Sequence, residues 1–91
     1  MSAYELTLFV GNISFSATRE ELETLVRDAG YRVADTTIAR REDGVTSKGF
    51  GFVKILTTEP EAAVIESLYG LVLRDRGIRV ERHNPKDKRA A

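Results

Sequence analysis

Three phenylalanines stand among residue types that are typical of β-strands. Phe9 belongs to an apolar segment near the N-terminus, whereas Phe50 and Phe52 alternate with glycine between Lys48 and Lys54. A flat aromatic ring can stack on an unpaired nucleobase, and a neighbouring ammonium group can contact a phosphate. These residue types and spacings therefore favour reversible stacking and ion pairing over covalent chemistry.

The alternation of side chains along a strand determines whether the rings can act together. Successive side chains point to opposite faces of a sheet, so Val53 and Ile55 face one side. The aromatic rings face the other side with the two lysines. If the phenylalanines were core residues instead, the valines and isoleucine of the same strands would face solvent. Large aromatic side chains exposed together are unusual, which predicts a partner for that face.

The length and composition narrow the possible functions. A chain of 91 residues accommodates one domain. It contains no cysteine and one histidine, His83, which disfavours disulfides, cysteine nucleophiles and thiolate metal sites, so no cofactor is expected. No segment approaches the roughly 18 apolar residues that cross a bilayer. We expect a soluble monomer without a membrane partner, in the cytoplasm or, in a eukaryote, the nucleus.

The net charge is zero, but acidic and basic residues are segregated along the chain. Residues 1–35 and 59–73 each have a net charge of −3, residues 36–58 have +2 and residues 74–91 have +4. The two basic blocks are expected to supply phosphate contacts. Their candidate residues are Arg40, Arg41, Lys48, Arg79, Arg82, Lys86, Lys88 and Arg89. A net charge of zero predicts weaker long-range attraction than in a strongly basic domain.

The elements that must position these residues can be read from the pattern. Helices are predicted to begin at two capping boxes, Thr18 with Glu21 and Thr58 with Glu61, with Pro60 in the first turn of the second helix. Strands are predicted at residues 7–10, 33–40, 49–56 and from 78 onward. This order predicts an α+β sandwich, in which two helices cover one face of a four-stranded antiparallel sheet.

Two segments resemble the signature motifs of the RNA recognition motif family. They are LFVGNI at residues 8–13 and KGFGFVKI at residues 48–55, and the resemblance extends over nearly the whole chain. The second segment departs from the family pattern only at Ile55, a position that alternation assigns to the core. The resemblance implies a ferredoxin-like fold whose first and third strands are adjacent. It also implies that Phe9 and Phe50 each stack a base and that Phe52 packs against riboses, while Lys48 contacts a phosphate.

Residues and resemblance together predict a non-catalytic domain that binds single-stranded RNA. The domain is expected to span residues 1–83, followed by a basic, flexible tail at residues 84–91. Single-stranded DNA and RNA-bound proteins are the further partners considered. The predicted RNA-binding residues are Phe9, Phe50, Phe52, Lys48, Lys54, Arg41, Arg79, Arg82 and His83.

Several alternatives remain open at the level of sequence. Some domains that resemble this family dock a protein instead of RNA. A small ferredoxin-like enzyme such as an acylphosphatase shares the element order, but no phosphate-binding loop lies near the first strand. His83 is either a solvated strand end or a residue that stacks on a base. The arginines from Arg74 to Arg82 either bind phosphates or form a solvated edge that blocks unwanted strand pairing.

Overall fold

The computed structural model describes residues 3–44 and 47–83, so the predicted tail at residues 84–91 lies outside the described residues. The elements within them are β1 (Tyr4–Gly11), α1 (Arg19–Asp28), β2 (Arg32–Arg40), β3 (Ser47–Thr57), α2 (Glu61–Leu68), β4 (Val72–Leu73), β5 (Arg76–Gly77) and β6 (Arg79–Arg82). This order confirms the predicted arrangement of two helices and four main strands. In the described part of the chain, neither helix combines the length and apolar character needed to cross a membrane.

The four main strands form one antiparallel sheet in the order β2-β3-β1-β6. The central pair is β1 with β3, in a register that runs from Tyr4 opposite Thr57 to Val10 opposite Gly51. The first and third strands are therefore adjacent, as expected, and β2 and β6 are the edges.

The hydrophobic core lies between one sheet face and the two helices. On the sheet side, Leu8 and Val53 are fully buried. Leu22 of α1 and Val64 of α2 are also fully buried, and they belong to the same core cluster. Burial of one such side chain contributes about 1.5–3 kcal/mol to stability. We call this side of the sheet the helix face and the opposite side the open face.

The start of α1 follows the predicted capping box. The Thr18 hydroxyl accepts a hydrogen bond from the Glu21 backbone N–H (3.1 Å), and the Glu21 carboxylate accepts one from the Thr18 N–H (3.0 Å). Arg74, in the turn between β4 and β5, also donates two hydrogen bonds to this carboxylate, at 2.8 and 2.9 Å. The Arg74 hydrogen bonds, followed by the one from Thr18, lower the pKa of Glu21.

The predicted capping box at α2 is wrong. The N-cap is Pro60, which has an extended conformation, and within the described part of the chain no side-chain hydrogen bond caps the helix. A residue before proline is biased away from helical geometry, which disfavours a helical Glu59, and the helix begins at Glu61. Thr58 therefore lies two positions too early to cap the helix. Thr57 instead accepts a hydrogen bond from the Glu59 N–H at 3.0 Å.

A small hairpin between α2 and β6 was not predicted. Val72 pairs with Gly77 and Leu73 with Arg76. Each of its strands has only two residues, which is too short for an alternating pattern to be visible in the sequence. The turn places Arg74 at a φ of 61°.

Candidate functional site

The open face carries three phenylalanine rings in mutual contact, which we call the aromatic platform. Phe9 lies directly opposite Phe52 in the central strand pair. The ring centroids are 5.4 Å apart for Phe9 and Phe50, 5.8 Å for Phe9 and Phe52, and 6.1 Å for Phe50 and Phe52. All three residues are partly exposed, while Val53 and Ile55 of the same strand are fully buried. The predicted alternation therefore holds.

Two glycines shape the backbone around the platform. A β-carbon at Gly11 would lie 3.1 Å from Cε2 of Phe9, so the bare backbone leaves room for the Phe9 ring. Gly49 has a φ of +85° and lies where the pairing of β3 with β2 shifts register, as in a β-bulge. The bulge lies immediately before Phe50. Gly49 thus determines the backbone direction of β3 immediately before Phe50.

His83 extends the platform along the sheet. It directly follows β6, and its imidazole centroid lies 4.9 Å from that of the Phe52 ring, at an interplanar angle of 61°. His83 is partly buried. Of the two alternatives considered, the structure places His83 on the open face next to an aromatic ring, where a stacking role is geometrically accessible.

Two cations accompany the platform, and each has a carboxylate partner. The Lys54 Nζ lies 3.8 Å from Oε1 of Glu5. The Arg79 Nη2 donates a hydrogen bond to Oε2 of Glu81 at 2.6 Å. All four side chains are more than 40% exposed, and exposed ion pairs of this kind contribute only about 0–1 kcal/mol. An incoming phosphate could therefore compete for either cation.

Arg82 lies on the helix face, away from the platform. Its cross-strand partner is Leu8, which is fully buried beneath the helices. The Arg82 Nε lies 2.8 Å from Oε1 of Glu61 on α2. Because Arg79 and Arg82 are three positions apart in one strand, they point to opposite faces. The structure thus brings Arg79 to the platform and keeps Arg82 from it.

The predicted cations Arg40, Arg41 and Lys48 lie around the β2–β3 connection, with Arg40 at the end of β2 and Lys48 near the start of β3. Arg41 and Lys48 are both exposed and line one depression of about 390 Å³, together with the carboxylates of Glu42 and Asp43. This depression has mixed charge and is not a purely basic surface. The predicted tail residues Lys86, Lys88 and Arg89 lie outside the described residues.

Sequence reasoning missed several residues of the open face. It did not anticipate that Glu5 and Glu81 would neutralise the nearby cations, although alternation along β6 places Glu81 on the same face as Arg79. It also passed over Phe15, which is 65% exposed in the β1–α1 connection. The Phe15 ring lies so close to Gly49 that a β-carbon there would be 2.8 Å away. The sequence did contain a signal for an exposed ring, because Phe15 stands between two serines.

Other surface features lie apart from this arrangement. A groove of about 580 Å³ is lined by Ala62, Ile65, Glu66, Tyr69 and Arg82, none of which belongs to the platform. Across residues 3–44 and 47–83, no group of three or more histidine, aspartate or glutamate side chains is arranged to hold a metal ion.

Comparison with known sequences finds a matching family model and several similar proteins. A family model described as the RNA recognition motif matches residues 8–79. The 29 kDa ribonucleoprotein A, chloroplastic, of Nicotiana sylvestris is 38% identical over 73 residues, covering 80% of this chain and 26% of that protein. The putative RNA-binding protein RbpA of Nostoc sp. is 31% identical over 84 residues, covering 92% of this chain and 81% of that protein. The chain thus spans about a quarter of the chloroplast relative.

Two solved structures support the fold. A Sex-lethal protein/RNA complex superposes with a TM-score of 0.75 at 24% identity, covering 90% of this chain and 48% of that chain. The first two RRM domains of the yeast poly(U)-binding protein give a TM-score of 0.72 at 23% identity, with 88% and 48% covered. At this level of identity, the likeness establishes the fold alone.

Proposed function

Because the chain belongs to the RNA recognition motif family, we propose that its open face binds single-stranded RNA without catalysing a reaction. The observation that carries this proposal is the aromatic platform, whose three rings contact one another and remain partly exposed on the side that neither α1 nor α2 covers. Exposed aromatic rings on a sheet suit unstacked bases, because every base has a π face.

The ring orientations support different roles within the platform. The Phe9 and Phe50 rings are inclined by only 33°, so they present their faces in similar directions. The Phe52 ring is nearly perpendicular to that of Phe50, at 86°, and therefore turns an edge toward the same side. We assign base stacking to Phe9 and Phe50, and contact with riboses to Phe52. His83, next to Phe52, would cover the strand at that end of the platform.

Phosphate contacts would come from cations on both sides of the rings. Lys54 and Arg79 already lie on the open face. The exposed pair of Lys54 with Glu5 is weak enough to exchange its carboxylate for a phosphate, and Arg79 has further N–H donors that can contact a phosphate while its bond to Glu81 remains. Arg41 in the β2–β3 connection and Lys48 near the start of β3 line a neighbouring depression. We omit Arg82 from the binding surface because Glu61 holds it on the helix face. Single-stranded DNA presents the same bases and phosphates, so it is the second ligand to compare.

Titration of ¹⁵N-labelled protein with a short single-stranded RNA of randomised sequence tests the proposal. The amide resonances of Phe9, Phe50 and Phe52 should shift, and less so at higher salt. The variant Phe50→Ala should lose about 1–3 kcal/mol of binding free energy while remaining folded, since this is the usual contribution of one stacked base.

The matched control is Tyr69→Ala, which removes a 55%-exposed aromatic ring at the end of α2. It should bind RNA like the parent protein. If folded Phe50→Ala kept its full affinity, the platform would not be the binding site. Absence of shifts at both low and moderate salt would favour the alternative of a protein-docking domain.

A further inference from the structure

Glu81 borders the Phe9 ring, on which a base is proposed to stack. It is the cross-strand partner of Phe9, and same-face side chains at such positions lie about 5 Å apart at Cβ. Arg79, the next open-face residue of β6, lies opposite Gly11. Since the Phe9 ring leans over Gly11, both β6 side chains border that ring. A base stacked on Phe9 would meet them with its edge.

The ion pair between these side chains presents a donor next to an acceptor. Arg79 bonds to Oε2 of Glu81, and among the described residues no other group donates to this carboxylate. The side chains of Arg79 and Glu81 are 60% and 47% exposed. The guanidinium therefore orients the carboxylate while Oε1 stays accessible to a ligand.

We infer that Glu81 determines specificity by favouring, on Phe9, a base with an exocyclic amine over uracil. This inference rests on the proposed function. A carboxylate only accepts hydrogen bonds, and the amino groups of cytosine and adenine donate them. Uracil instead presents two carbonyl oxygens around a single N–H. Those oxygens would face the carboxylate and lose hydrogen bonds to water without replacement.

Simple repulsion between Glu81 and RNA phosphates has a different signature. Repulsion would weaken every RNA strand to a similar extent, whereas base recognition changes the ratio of affinities between strands. Glu5 provides the matched control, because it is also a carboxylate on the open face paired with a cation. Glu5 lies opposite Leu56, at the far end of the central strand pair from the Phe9 position.

Fluorescence anisotropy with labelled oligocytidylate and oligouridylate of equal length tests the inference at neutral pH. The parent protein should bind oligocytidylate at least about fivefold more tightly, the lower end of the discrimination from one good base contact. Glu81→Gln, whose amide also donates to uracil, should bring this ratio close to one. Glu5→Gln should keep the parent ratio, because Glu5 lies far from the Phe9 position.

The outcomes separate the inference from the function on which it rests. An equal affinity of the parent protein for the two oligomers would overturn the inference while leaving RNA binding intact. The same would hold if Glu81→Gln retained the parent ratio, or if Glu5→Gln abolished it equally well. Absence of binding to either oligomer would overturn the proposed function, and the role of Glu81 with it.

Discussion

The two faces of the sheet use neighbouring residues of the same strands for opposite purposes. Leu8 is fully buried on the helix face, whereas the adjacent Phe9 is partly exposed on the open face. The same division separates Val53 from Phe52 in β3. Apolar surface beneath the helices stabilises the fold, while the apolar rings on the other side are left for a ligand. Stability and binding should therefore be separable by substitutions one residue apart.

The largest effect should come from the helix face. Leu8→Ala removes a fully buried side chain from the core, and such a change costs about 2–5 kcal/mol of unfolding free energy. Urea denaturation followed by circular dichroism measures this loss. A loss below about 1 kcal/mol would mean that Leu8 is not a core residue and that the two faces are not divided as described.

Phe9→Ala is the counterpart on the open face. We expect a loss of about 1–3 kcal/mol of RNA-binding free energy, because one stacked base is lost. The unfolding free energy should fall by less than in Leu8→Ala, since the Phe9 ring is only partly buried. Anisotropy titration and urea denaturation of both variants make the comparison. Equal destabilisation of the two would contradict the separation of roles.

The two arginines of β6 sharpen the comparison within a single strand. If Arg79 contacts a phosphate, Arg79→Ala should reduce the slope of log K against log salt by about 0.7, the value expected per phosphate on a single strand. Arg82→Ala should leave this slope unchanged, because Arg82 is paired with Glu61 on the helix face. Binding isotherms at several salt concentrations measure both slopes. A reduced slope for Arg82→Ala together with an unchanged slope for Arg79→Ala would show that Arg82 contacts the RNA.

The smallest effect concerns acid stability on the helix side. Hydrogen bonds from Arg74 lower the pKa of Glu21 in the folded protein. A carboxyl whose pKa is lower when folded contributes stability above its unfolded pKa, and this contribution is lost as the pH falls through the folded value. Arg74→Ala should therefore flatten the acid branch of a plot of unfolding free energy against pH. An unchanged acid branch would show that the Arg74 contact does not stabilise the fold.

The aromatic platform was predictable because its residues lie in two long strands with clear alternation. Phe50 and Phe52 share β3 with the buried residues Val53 and Ile55, so one pattern assigns all four. The prediction that Arg79 and Arg82 share a surface did not take the alternation of side chains along β6 into account. An odd spacing of three positions in a strand separates the two arginines.

Features that depend on register between distant segments could not be read from the sequence. The contact of Lys54 with Glu5 requires the pairing of β1 with β3, and that of Arg74 with Glu21 requires the β4–β5 turn to lie against α1. The predicted start of α2 was wrong for a local reason, because Pro60 is the N-cap and the helix begins after the predicted cap, Thr58. A capping box in a sequence should therefore be interpreted together with the conformational bias of any proline close to it.

The central pairing of β1 with β3 also has a kinetic consequence. Phe9 and Phe52 lie opposite each other although more than forty residues separate them along the chain. Closing so long a loop lowers the entropy of the chain before the contacts form, which slows folding compared with local hairpins. The platform exists only while these strands are joined. An RNA strand held by rings of both would therefore hold together two strands that are distant in sequence and slow their separation.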